Sequence, residues 1–259
     1  MSAAANSHKR NWDACRALLF DKDGTIINFR LMWLGWCREV IRELSSGYPS
    51  GTVERSLSAW GVDLALGRID PGGFLAIGSS ADLLNSLVSR LAKKGYSEAR
   101  LRQDVTGAMH SAYRAIEEKK LIRPIEGVAE AVKELHKQGY LLAVVTKDDS
   151  EKAAQNLKLI GLEACFDPVL GCDLVKNCKP APDLVLEACS RLGISPAEAA
   201  VIGDTTADMQ MGRAAGAACC IGVASGVTAP EALAAGADIV LKSAAYMIGK
   251  PESSLGGDQ

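Results

Sequence analysis

Along the second half of the chain, short apolar runs alternate with amphipathic stretches. Runs at 17–20, 141–145, 199–202, 219–223 and 238–241 are four or five residues long and nearly free of polar positions, which predicts buried strands. Between them, apolar residues recur at helical spacing over 128–137, 150–159, 183–192, 206–215 and 230–235. Gly139, Gly161, Gly193 and Gly216 stand just past four of these stretches, where a helix commonly ends. Strand–helix alternation of this kind predicts a parallel sheet covered by helices on both faces.

The segment 29–120 breaks that rhythm. It offers no buried-strand run, but long helical patterns at 31–44, 81–92 and 97–119, with a glycine-rich loop over 63–80. The expectation is therefore α/β: a Rossmann-like, doubly wound parallel sheet with an all-helical cap inserted after the first strand. The expected layout is a flexible leader at 1–13, a core at 14–28 and 121–250, the cap at 29–120 and a disordered tail at 251–259.

Composition narrows the function classes. Lys and Arg total 29 against 31 Asp and Glu, a formal charge of −2, so no basic excess points to nucleic acid or an anionic membrane. An anionic substrate must be captured by a local site. The N-terminal stretch lacks the apolar core of a secretory signal, and no run has the length of a membrane helix. The eight cysteines form no CxxC pair, and buried, reduced thiols in a cytoplasmic protein are expected.

Four loops, each at the predicted C-terminal end of a strand, carry chemistry. In Asp21-Lys22-Asp23-Gly24-Thr25, residues i and i+2 of an extended chain face the same side, so Asp21 and Asp23 can share a site while Lys22 faces away. One of two such carboxylates can be an ionised nucleophile or metal ligand, the other a proton carrier. Gly24 permits close backbone approach. A simple turn or helix cap would use the same residues. Thr146-Lys147-Asp148-Asp149-Ser150 offers a hydroxyl and free amides for an anion, or plain capping by Asp149 or Ser150. Lys179, before Pro180 and Pro182, is a fixed counter-charge or a solvated surface lysine. Asp204 and Asp208, in Gly203-Asp204-Thr205-Thr206-Ala207-Asp208, are hard oxygen ligands suited to Mg²⁺, or an acidic first helical turn.

Taken together, the order DxDGT, a strand-end threonine, KPxPD and GDxxxDxxxGxxAG resembles the haloacid dehalogenase superfamily, most closely its phosphoglycolate-phosphatase-like branch with a helical cap. The resemblance covers 17–28 and 123–245. It implies that Asp21 is the nucleophile and that Asp23 is the general acid and base. It further implies that Thr146, Lys147, Lys179 and Gly24 bind phosphate, and that Asp21, Asp23, Asp204 and Asp208 hold Mg²⁺. The substrate implied is a small phosphorylated metabolite, and the protein a monomer or homodimer. Two features depart from the pattern: Lys147 stands where asparagine is common, and the insertion is longer than a minimal cap.

Asn28 and Arg30 lie close enough to the first motif to line the entrance, and Arg30 could grip a substrate carboxylate. Gly78-Ser79-Ser80 reads as a helix cap or a specificity loop, Trp33 and Trp36 as core, and His110 has no assigned role. Two rival functions use the same fold: a phosphomutase passing the phosphoryl group to a sugar, and an idle regulatory protein, against which the complete catalytic set argues.

Overall fold

The computed structural model describes residues 12–248, so the expected tail and most of the expected leader lie outside the described residues. The core is built from β1 (Ala17–Phe20), then, after the cap, α6 (Val128–Lys137), β4 (Leu141–Val145), α7 (Ser150–Leu159), β5 (Val169–Leu170), α8 (Asp183–Leu192), β6 (Ala199–Gly203), α9 (Thr206–Ala215), β7 (Cys219–Val223), α10 (Pro230–Ala234) and β8 (Ile239–Leu241). Its six strands pair in the order β5-β4-β1-β6-β7-β8, each pair parallel. β5, only two residues long, escaped the apolar-run reading.

The pleat explains why β1, β4 and β6 read as continuous apolar runs. Leu18, Phe20, Leu142, Val144, Ala200 and Ile202 enter one core layer, while their alternates Ala17, Leu19, Ala143, Val145, Ala199 and Val201 enter the other. Register then places the chemistry. Phe20 lies opposite both Val144 and Ile202, so Asp21 emerges level with Val145 and Gly203, and Thr146 and Asp204 follow one step beyond. Asp21 N–H donates to Ile202 O at 2.8 Å and Thr146 N–H to Leu170 O at 2.9 Å, which holds both residues to the sheet edge.

The cap comprises α1 (Phe29–Leu44), α2 (Ser50–Ser58), β2 (Val62–Asp63), β3 (Arg68–Ile69), α3 (Phe74–Ile77), α4 (Ser80–Ala92) and α5 (Glu98–Glu118). β2 and β3 form a two-residue antiparallel ladder within the stretch expected to be loop, so the cap is helical apart from this hairpin. The main pair is α1 on α5: Met32, Trp36, Val40 and Leu44 recur every four residues, and α5 answers with Val105, Ala108, Ala112 and Ile116, whose small members allow close approach.

Two expectations change. Trp12, grouped with the leader, is buried at 3% exposure. Cys172 and Cys178 form a disulfide, Cα atoms 5.2 Å apart, because the loop after β5 turns back on itself just before Lys179; the other six cysteines are free. Among the described residues, no helix is long and apolar enough to cross a membrane.

The helix α9 that carries Asp208 sits hard against the sheet at Gly212, where a Cβ would lie 2.7 Å from Cys220 Sγ and 3.1 Å from Val201 Cβ. Gly212→Val is therefore expected to destabilise the fold by about 1–3 kcal/mol through overpacking; denaturant unfolding with an unchanged slope checks it, and an unaltered midpoint contradicts it.

Candidate active site

All four strand-end loops converge on one pocket. Asp21, Asp23, Thr146, Lys147, Lys179, Asp204 and Asp208 line it from the core, and Phe29, Trp33, Leu75, Ser79, Ser80 and Leu83 from the cap. The i, i+2 geometry of the first loop brings both carboxylates to the pocket as expected. Lys22 does not face solvent. It is fully buried, with Nζ 2.7 Å from Asp148 Oδ2 and 3.4 Å from Asp23 Oδ1.

Gly24 does not line the pocket. It has φ +92°, and a Cβ there would stand 2.4 Å from Asp204 Oδ2, so the absence of a side chain leaves room for the Asp204 carboxylate. Gly226, after β7, does the same from the other side, where a Cβ would stand 1.7 Å from the same oxygen. Val227 N–H donates to Asp204 Oδ2 at 3.2 Å and the Thr25 hydroxyl to Oδ1 at 3.4 Å, fixing the carboxylate between the two loops.

Thr146 ends β4. Its Oγ1 accepts from Asp148 N–H at 3.2 Å, which leaves the hydroxyl proton to donate into the pocket. Neither local cap proposed for α7 forms the expected bond: the Ser150 N–H and hydroxyl both donate to Asp173, at 2.8 and 2.6 Å. The loop amides are thus organised from a distant residue. Lys147 reaches the cap, its Nζ donating to Ile77 O at 3.4 Å.

Lys179 is no surface lysine. Its side chain is 2% exposed, and its Nζ lies 2.6 Å from both Asp21 Oδ1 and Asp208 Oδ1. Burial opposes its charge, but the Asp208 and Asp21 carboxylates prevail and raise its pKa. Asp208 also completes a capping box at the start of α9, with Thr205 Oγ1 donating to Oδ2 at 2.5 Å, so the capping reading of this residue holds while its Oδ1 faces Lys179 in the pocket.

The acids crowd one another. Burial pushes the Asp21 carboxyl up to about 6; Lys179 opposes, while Asp208 and Asp23 add to the rise. Burial likewise raises Asp23, against Lys22. Asp204 is raised well above the usual carboxylate range, first by burial and then by Asp21 and Asp208. Oxygens of Asp21, Asp204 and Asp208 all lie within 4.8 Å of one another. Three buried carboxylates with one lysine are short of positive charge, and an all-oxygen donor set suits a hard divalent cation. The residues present therefore fit Mg²⁺.

The two entrance candidates do not reach the pocket. Asn28 is exposed and N-caps α1, its Oδ1 accepting from Leu31 N–H at 3.0 Å; Arg30 points to solvent. Ser79 forms a capping box with Asp82, as the capping reading expects, and Gly78, Ser79 and Ser80 also line the pocket. Trp33 lines the pocket as well as packing in the cap. Sequence reasoning missed the Lys22–Asp148 pair and the Gly226–Val227 clamp. The Ser225-Gly226 dipeptide after an apolar strand was the signal for the second; a lysine between two aspartates gave none for the first.

A haloacid dehalogenase-like hydrolase family model matches residues 15–216. The "Probable phosphatase IndB" of Dickeya dadantii is 30% identical over 239 residues, covering 92% of this chain and 94% of that protein. Pyrophosphatase PpaX of Halalkalibacterium halodurans is 43% identical over 97 residues, a stretch covering 38% of this chain and 45% of that relative, under half its length. Among solved structures, one described as a predicted phosphoglycolate phosphatase from Haemophilus somnus superposes with a TM-score of 0.71 at 20% identity, over 91% of this chain and 97% of that one, a likeness of fold. With the motif order, the sheet topology and a model match spanning most of its length, the chain belongs to the haloacid dehalogenase-like hydrolase family.

Proposed function

We propose that this hydrolase is a Mg²⁺-dependent phosphatase that cleaves a small phosphate monoester, phosphoglycolate-like or a sugar phosphate, through an aspartyl-phosphate on Asp21. The observation that carries the reading is the Lys179 ammonium 2.6 Å from Asp21 Oδ1, at the floor of a pocket that also holds Asp23 and the Thr146 hydroxyl. A carboxylate nucleophile, a cation beside it and a second carboxyl two residues on are what phosphoryl transfer asks for: positioning and charge neutralisation.

Lys179 and Lys147 offset the charge of the incoming phosphoryl group, and Thr146 donates to one of its oxygens. The ionised Asp21 oxygen attacks phosphorus; the P–O bond to the leaving group breaks, and Asp23, protonated, gives its proton to that oxygen. Asp23, now ionised, takes a proton from the water that attacks the phosphorus of the aspartyl-phosphate, releasing phosphate and restoring Asp21. Burial, which raises Asp23, favours the protonated form needed for the first half. Asp21, Asp204 and Asp208 side chains and the Asp23 carbonyl would hold Mg²⁺, which supplies further neutralisation of phosphoryl charge. The names of IndB and PpaX support phosphate chemistry, and the PpaX match is confined to part of each chain.

Two outcomes check this. Asp21→Asn should lower turnover on every phosphate ester by roughly three orders of magnitude or more, with circular dichroism unchanged; full turnover in that variant removes the mechanism. Mg²⁺ should raise the thermal midpoint of the metal-stripped protein, because it relieves three buried carboxylates, and Asp204→Asn should cancel most of the rise. An unmoved midpoint in the unsubstituted protein contradicts the metal site independently of any activity.

A further inference from the structure

The cap wall facing the leaving group carries no charge of its own: Phe29, Trp33, Leu75 and Leu83 are apolar, and the Ser79 hydroxyl is engaged with Asp82, donating at 2.7 Å. Lys147, on the core rim, points its Nζ to the Ile77 carbonyl. Two buried polar atoms in this pocket nevertheless make no hydrogen bond among the described residues, Trp33 Nε1 and Asp23 Oδ1. The indole N–H faces the Asp23 carboxylate closely enough to favour its ionised form, yet closes no bond of full geometry. Trp36 and Trp60 differ: their N–H groups donate to Met109 O at 3.2 Å and Ser86 Oγ at 3.0 Å.

Trp33 is also held still. Its ring meets Trp36 edge-on at 5.4 Å and Phe29 at 6.2 Å, and Trp36 in turn stacks on Trp60 at 6.2 Å. A fixed, buried donor that closes no full hydrogen bond favours a ligand oxygen that satisfies it.

Resting on the phosphatase reading above, we infer that Trp33 selects the leaving group. Its N–H donates to an uncharged oxygen next to the ester oxygen that Asp23 protonates, while Phe29 and Leu83 pack on the carbon body. The substrate class is the phosphate monoester of a neutral alcohol bearing a hydroxyl or ether oxygen close to the phosphate. A carboxylate in that place would be desolvated against apolar rings with no cap cation to meet it, since Arg30 is exposed and outside the lining and Lys147, from the core rim, serves the phosphoryl group.

The test compares 2-methoxyethyl phosphate, the isosteric n-butyl phosphate and 2-phosphoglycolate, with Mg²⁺, on the unsubstituted protein and Trp33→Phe. The unsubstituted protein should favour methoxyethyl over butyl by about tenfold in kcat/KM, with phosphoglycolate slowest. Trp33→Phe, which keeps a ring but loses the N–H, should erase the methoxyethyl advantage, lowering kcat/KM on methoxyethyl about tenfold more than on butyl. Phosphoglycolate as the best of the three, or an equal loss on all three esters in Trp33→Phe, overturns the inference while leaving the phosphatase reading intact. Hydrolysis of none of them overturns both. Should Trp33→Phe fail to fold, the ranking in the unsubstituted protein decides.

Discussion

The ammonium of Lys179, 2.6 Å from a carboxylate oxygen of Asp21 on one side and of Asp208 on the other, is the contact on which the rest of this site depends. A buried lysine is costly unless paired, and buried carboxylates are costlier still when they crowd one another. Here each solves part of the other's problem. Removing the lysine would leave Asp21, Asp204 and Asp208 with no cation in contact. Keeping it still leaves an excess of negative charge, which adds to burial in raising Asp21 to about 6 and in lifting Asp204 well above the usual carboxylate range. That remaining imbalance is the physical case for a divalent cation in this pocket.

The cluster can exist only because backbone gives way to it. Gly24 and Gly226 approach the Asp204 carboxylate from two loops, at distances no Cβ would tolerate, and Gly203 does the same for Asp208, where a Cβ would lie 2.4 Å from the side chain. The sheet supplies the rest. Parallel pairing of β1 with β4 and β6 sets three loop starts at one level, so residues 125 and 183 positions away from Asp21 in sequence become its neighbours without any special contact to bring them. A second charged system, Lys22 with Asp23 and Asp148, lies beside the first and keeps the second carboxyl of the pair in a different environment from Asp21.

Much of this was legible in the sequence, for a clear reason. Strands buried on both faces advertise themselves as unbroken apolar runs, and helices of the core end at glycines such as Gly193 and Gly216, both left-handed here. The Asp21–Asp23 spacing predicts a shared face from the pleat alone. What stayed hidden depends on tertiary contact. β5 is too short for any periodicity. Lys22 alternates outward in the pleat, yet the cap and α7 enclose it. Asn28 and Arg30 are near the pocket in sequence, but α1 begins there and carries their side chains to its solvent side, while Phe29 and Trp33, one turn apart, take the inner face. The Cys172–Cys178 pairing likewise follows from a loop path that spacing alone does not reveal.

A divided pocket results, with charge concentrated on the core side and rings on the cap side. In the proposed reading, the core side carries attack on phosphorus and the cap side the choice of leaving group. The most direct test of the central claim is to trap the covalent intermediate: mix the protein with Mg²⁺ and a turning-over phosphate ester, quench in acid within a single turnover, and map the phosphorylated peptide by mass spectrometry. One phosphoryl group on Asp21 is the predicted result. Ester hydrolysis at an undiminished rate with no phosphoryl group on Asp21 at any time point would contradict the account.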